Sequence, residues 1–102
     1  MKIHFEVMGR LGRRIRVTKS HWSFIVREKH LEIEGMEAEV QETLIFPEIV
    51  RESQEDDEVF LYYRKHGRYF ICVVCRHLNG DGFVITCYLT NKVKEGQQIW
   101  PR

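Results

Sequence analysis

Three runs rich in β-branched and aromatic residues, parted by glycine-bearing turns, dominate the second half of this chain. They are Glu58-Val-Phe-Leu-Tyr-Tyr-Arg-Lys65, Arg68-Tyr-Phe-Ile-Cys-Val-Val-Cys-Arg-His77 and Phe83-Val-Ile-Thr-Cys-Tyr-Leu-Thr90. His66-Gly67 separates the first two, and Asn79-Gly80-Asp81-Gly82 the last two. Glycine after Asn, Asp or His between such runs marks tight hairpins, because these turns need positive φ. The segment therefore predicts a three-stranded antiparallel meander. Side chains alternate across a strand, so the turns also assign faces. A two-residue turn at His66-Gly67 pairs Tyr62 with Ile71. One face then gathers Val59, Leu61, Tyr63, Phe70, Cys72, Val74, Phe83, Ile85, Cys87 and Leu89. The other gathers Phe60, Tyr62, Arg64, Tyr69, Ile71, Val73, His77, Thr86, Tyr88 and Thr90. The first face is almost wholly apolar and is expected to be covered. The second mixes aromatics, hydroxyls and cations, which suits an open surface facing a ligand.

The first half supplies the cover. Ile3, Phe5 and Val7 alternate with Lys2, His4 and Glu6, the pattern of a half-buried strand. Gly9-Arg-Leu-Gly12 turns the chain, and Arg13 to Val17 resumes it as a second strand. Thr18 and Ser20 can cap a helix over about residues 19–29, whose Trp22, Ile25 and Val26 share one face. Gly35 separates a second helix, in which Met36, Val40 and Leu44 repeat every four residues while Glu37, Glu39 and Glu42 face water. Pro47 ends it, since the residue before proline is pushed out of the helical region. Residues 49–53 read as a short strand or an extended arm. The order is β-β-α-α-(β)-β-β-β. The expected class is α+β in one domain: an N-terminal hairpin and a C-terminal meander in an antiparallel sheet, two helices on one face.

Charge is blocked along the chain although the net charge is only +1. Residues 1–30 hold eight Lys or Arg against two acids, residues 31–58 one Arg against eleven acids, and residues 59–102 seven basic residues against two acids. Arg10, Arg13, Arg14 and Arg16 cluster at the first hairpin. Two readings fit them: a solvated edge that discourages strand association, or a patch that contacts phosphate. That edge also leaves a dimer open. Cys72 and Cys75 are three apart within a strand, hence on opposite faces, so a shared metal is not expected, and with no G-x-x-x-x-G-K-[ST], G-x-G-x-x-G or H-E-x-x-H motif no cofactor is expected either. Three free thiols suit a reducing cytoplasm. No apolar run approaches the roughly 20 residues of a membrane span, and charge interrupts the start at Lys2 too early for a signal peptide.

His21-Trp22, Lys29-His30-x-Glu32, Pro47-x-x-Val50-Arg51-x-Ser53, Leu61-Tyr62-Tyr63-Arg64 and Val84-Ile85-Thr86-Cys87-Tyr88-Leu89-Thr90 together resemble a family of small bacterial proteins associated with phages and mobile elements. That family falls in the barnase–EndoU–colicin–RelE group of compact endoribonucleases and toxins. The resemblance spans residues 21–100. It implies helices on one side of an antiparallel sheet, RNA cleaved on the other, and the partners of a toxin: RNA, free or on the ribosome, and a cognate antitoxin.

Metal-free RNA cleavage needs a base for the 2′-hydroxyl proton, an acid for the leaving oxygen, and donors that hold the phosphate. On that chemistry His21, Arg51, Tyr62, Arg64 and Thr86 are the catalytic candidates. Tyr88, Thr90, His30 and Lys92 are the RNA-binding candidates. Each has a plainer reading: His21 and His30 as helix-end residues, Arg51 as a surface ion pair, Tyr62 and Tyr88 as cross-strand packing, and the threonines as β-formers. The near-neutral charge and acidic second helix also fit a non-catalytic module that binds nucleic acid or a basic protein.

Overall fold

The computed structural model describes all 102 residues. The elements are β1 (Ile3–Met8), β2 (Arg14–Thr18), α1 (Lys19–Phe24), α2 (Glu37–Ile45), β3 (Ile49–Glu52), β4 (Val59–His66), β5 (Tyr69–His77), β6 (Asp81–Thr90) and β7 (Gln97–Trp100). α1 runs on as a π-helical turn over Ile25–Lys29, and a 3-10 turn at Leu31–Ile33 precedes α2. Local chemistry sets these boundaries. The Thr18 hydroxyl accepts the His21 N–H at 3.1 Å and caps α1. Gly35 takes a left-handed φ of 78° before α2, and α2 stops two residues short of Pro47.

The α+β class holds, with a seven-stranded sheet in the order β1-β2-β6-β5-β4-β3-β7. All neighbours are antiparallel except β2 and β6, which run parallel over Arg14–Arg16 and Asp81–Phe83. The N-terminal hairpin thus joins the meander through β6. In the β4–β5 hairpin the two loop residues are Gly67 and Arg68, with Gly67 at φ 62°. Tyr62 therefore pairs with Val73 instead of Ile71. The slip is two residues, so it leaves facing unchanged.

The expected assignment of covered and open faces is reversed along β4 and β5, but it holds along the end of β6, where Cys87 and Leu89 lie under the helices and Thr86 and Tyr88 on the other face. The helices rest on the face of Tyr62, Ile71, Val73 and Cys75, where Trp22, Ile25, Val40 and Leu44 complete the main core. Both faces carry enough apolar surface to be buried. The phenol of Tyr62, read as a sign of exposure, is instead satisfied inside by His77, at 2.9 Å between Tyr62 Oη and His77 Nε2. Glu37, expected to face water, meets His4 Nε2 at 2.9 Å.

The opposite face has its own cover, drawn from the C-terminus. β7 lies beyond β3, at the far end of the sheet from β6, so the connection over residues 91–96 crosses the strands between them. Val93 packs on a small second core of Leu61, Tyr63 and Cys72, and the Lys94 N–H donates to the Tyr63 hydroxyl at 3.1 Å. Gly96 brings this strap against β3, where a Cβ would run into the Glu52 carbonyl oxygen. Cys72 and Cys75 fall in different cores, as their spacing predicts. No helix is long and apolar enough to cross a membrane.

Candidate functional site

A β-bulge decides which side chains meet. Along β5 and β6, Cys75 pairs with Val84 but Val74 pairs with Thr86, leaving Ile85 as an extra residue. Upstream of the bulge Val84 faces the helices; downstream, Thr86 and Tyr88 face the other way, opposite Val74 and Cys72. The freed Ile85 carbonyl accepts a hydrogen bond from His21 Nε2 at 2.8 Å. This contact places the tautomeric proton on Nε2, since a carbonyl only accepts.

The quartet Tyr62, Arg64, Thr86 and Tyr88 is therefore split, contrary to the shared open face expected of it. Tyr62 lies fully buried under the helices. Arg64 donates to the Phe46 carbonyl at 2.7 Å, serving the C-terminus of α2. His21 sits at the bulge edge, outside the residues that line the cleft, with its Nε2 on the Ile85 carbonyl. An His21→Ala variant is expected to lose about 1–2 kcal/mol of stability by orphaning the Ile85 carbonyl, as read by urea denaturation. An unchanged midpoint would show that the bulge does not need the imidazole.

Four of the candidates lie on the helix-free face: Thr86 and Tyr88 on β6, His30 beside Tyr88, and Arg51 three strands away on β3. A cleft of about 540 Å³ is lined by Ser53, Glu55, Val59, Leu61, Thr86, Tyr88, Lys94 and Glu95 among others. Its walls are the meander on one side and the strap on the other. The His30 ring lies 5.2 Å from that of Tyr88, having reached round the β6 edge from the end of the π turn. Its Nδ1 is turned to Glu32 Oε2 at 3.4 Å, leaving Nε2 free. Arg51 projects from β3 on the same side as Leu61, its pairing partner. Its Nη1 donates to the Lys94 carbonyl at 3.3 Å, and none of the neighbouring acids forms an ion pair with it. Two buried side-chain polar atoms have no hydrogen-bond partner, Arg51 Nε and Thr86 Oγ1, and both belong to this side. Unpaired buried donors are costly to a fold, so each of these two atoms calls for a physical reason.

Burial raises the hydroxyls of Tyr63 and Tyr88 far above their ordinary range, so both stay protonated donors. Burial likewise pushes the Cys72 thiol up to about 11, against the opposing pull of the Tyr88 and Tyr63 hydroxyls beside it. Cys72 is therefore an inert thiol. Thr90 and Lys92 lie beyond the cleft, where the Lys92 N–H closes a turn on the Thr90 hydroxyl at 3.1 Å. The lining cation is Lys94, two residues on. No sequence pattern marks it, because its place depends on where the strap crosses the sheet.

On the helix-bearing side, His77 is 5% exposed. Burial, and secondarily the Arg13 guanidinium, push its imidazole down to about 4 from an ordinary 6.5. Between those values only the unfolded chain takes up the proton. Stability is thus full above about pH 6.5 and falls as the pH drops towards 4, by at most about 1.4 kcal/mol per pH unit. Urea midpoints between pH 7 and pH 4.5 should show this slope in the native chain and lose it in His77→Gln; equal slopes would place the titration elsewhere.

No family model, curated protein or solved structure matches this chain.

Proposed function

We propose that this protein is a small, metal-independent endoribonuclease of the toxin type, working in the cleft between the meander and the strap. The observation that carries the reading is that Thr86, Tyr88 and Lys94 line one cleft, with His30 beside Tyr88 and Arg51 on the same side of the sheet bonded to the Lys94 carbonyl, and that Arg51 and Thr86 each carry an unpaired buried polar atom. The resemblance of residues 21–100 to the barnase–EndoU–colicin–RelE group supports the same chemistry.

In this reading Lys94 and Arg51 hold the scissile phosphate, and the Thr86 hydroxyl donates to the charge that grows on its oxygens. His30 Nε2 takes the 2′-hydroxyl proton; Glu32 orients its ring from Nδ1. The 2′-oxygen attacks phosphorus and the 5′-oxygen departs, taking a proton from water at the cleft mouth. The products are a 2′,3′-cyclic phosphate and a 5′-hydroxyl. Tyr88 offers its ring to a flanking base. A cognate antitoxin would act by covering this face.

The test is digestion of single-stranded and ribosome-bound RNA in excess EDTA, with end-group analysis of the fragments. Cyclic phosphate ends from wild-type protein, at a rate reduced by about tenfold or more in Lys94→Gln, are expected. Binding without any cleavage would reduce the protein to a nucleic-acid-binding module. Equal cleavage by the variant would remove this cleft from the chemistry.

A further inference from the structure

The arginines of the first hairpin divide into two pairs with different fates. Arg14 and Arg16, on β2, are neutralised: Arg14 meets Glu6 at 3.4 Å and Arg16 meets Asp81 at 2.9 Å. Arg10 and Arg13, at the loop, form no ion pair; Arg13 Nη1 donates to the Leu78 carbonyl. The loop is anchored by the Arg10 N–H on the Leu44 carbonyl and the Gly9 N–H on the Arg13 carbonyl, each at 2.8 Å. The Arg10 guanidinium is held 4.4 Å over the Trp100 ring. Between this loop and β7 runs an open groove of about 420 Å³, on the helix-bearing side of the sheet and apart from the cleft described above. Arg10, Arg13 and the exposed Arg102 bring three guanidiniums to it against one carboxylate, Glu52. Its floor is aromatic, with Phe60 and His77 stacked at 4.1 Å and 15°. The nearby acids Asp56 and Glu58 are occupied by Arg76, each at 2.9 Å.

Guanidiniums without ion pairs beside aromatic rings, in an open groove, match a flexible polyanion whose repeat carries both a phosphate and a flat ring. We propose that this groove is a second site, binding single-stranded nucleic acid: a base stacks at the Trp100–Arg10 pair, and adjoining phosphates lie on Arg13 and Arg102. The site does not depend on RNA being cut on the other face. Binding here would hold a strand whether or not the cleft is catalytic.

The test uses fluorescence anisotropy of a labelled twelve-residue oligo(dT), which has no 2′-hydroxyl and cannot be cleaved by the chemistry above. The doubly substituted Arg10→Gln/Arg102→Gln chain should bind at least tenfold more weakly and show a shallower salt dependence, by about 0.7 for each phosphate no longer neutralised. Trp100→Leu should bind at least fivefold more weakly at unchanged salt dependence. Trp22 is buried in the core, so quenching of tryptophan emission on binding should report Trp100 and vanish in that variant. Circular dichroism confirms that each variant is folded. Full affinity in both variants, with weakening only in Lys94→Gln, would move the strand to the other face and overturn the proposal. So would competition by poly-glutamate as effective as that by unlabelled oligonucleotide, since the groove would then read charge without bases.

Discussion

An Arg51→Gln variant is expected to cleave RNA about a hundredfold more slowly than the native chain or worse, while melting within a few degrees of it. The size of the rate effect follows from removing one preorganised donor from a developing phosphate charge, which typically costs 10²–10³, about 3–4 kcal/mol. The small change in melting follows from the environment of the side chain. Arg51 has no ion pair, one Nη1 hydrogen bond to the Lys94 carbonyl at 3.3 Å, and a buried Nε with no partner. A charge-assisted bond disappears, but an uncompensated desolvation is relieved as well. Thr86→Val sharpens the point. It keeps the shape of the side chain and deletes the other orphaned polar atom, so the variant should be as stable as the native chain or more so, with cleavage reduced. If both variants cleave at the native rate, the unpaired atoms serve no bound phosphate.

Tyr62→Ala is expected to destabilise the fold by about 3–5 kcal/mol, the usual cost of truncating a fully buried aromatic. For a chain of this size each kcal/mol moves the melting temperature by about 4–8 °C, so the midpoint should fall by well over about 10 °C. The ring is fully buried, and its hydroxyl meets His77 Nε2 at 2.9 Å. Tyr62→Phe isolates that hydrogen bond. It should cost about 1–3 kcal/mol, because an imidazole nitrogen is left buried without a partner. RNA cleavage by Tyr62→Phe, measured below its midpoint, should be unchanged, since the ring lies on the helix side of the sheet. Differential scanning calorimetry checks both; a midpoint shifted by less than about 3 °C in Tyr62→Ala would contradict the placement of this residue in the core.

Several features were legible in the residues themselves. The strand runs, the Thr18 cap, the apolar stripes of both helices and the stop before Pro47 are local signals that describe the structure, and the glycine turn after β4 falls one residue later than read. The opposite facing of Cys72 and Cys75 followed from the two-residue period alone. Four features were not legible, and each depends on tertiary context. The choice of covered face failed along β4 and β5 because both faces of the meander carry large apolar side chains, and a tyrosine hydroxyl does not announce whether water or His77 will satisfy it. The bulge at Ile85 carries no glycine or other marker, yet it alone moves Thr86 and Tyr88 away from Tyr62 and Arg64. β7 and the strap that leads to it depend on Gly96 approaching Glu52 across 44 residues of sequence, and with them went Lys94. The parallel pairing of β2 with β6 is of the same kind. The residues of the candidate site were therefore partly readable as chemistry, but their grouping was not.

One titration tests the cleft most directly: amide and side-chain NMR shifts recorded while a 2′-O-methyl RNA tetranucleotide, blocked against cleavage, is added to the protein. The prediction is that Arg51, Thr86, Tyr88, Lys94 and the His30 ring shift together and saturate with one affinity. Saturated binding that leaves those five signals in place, whatever moves elsewhere, would contradict it.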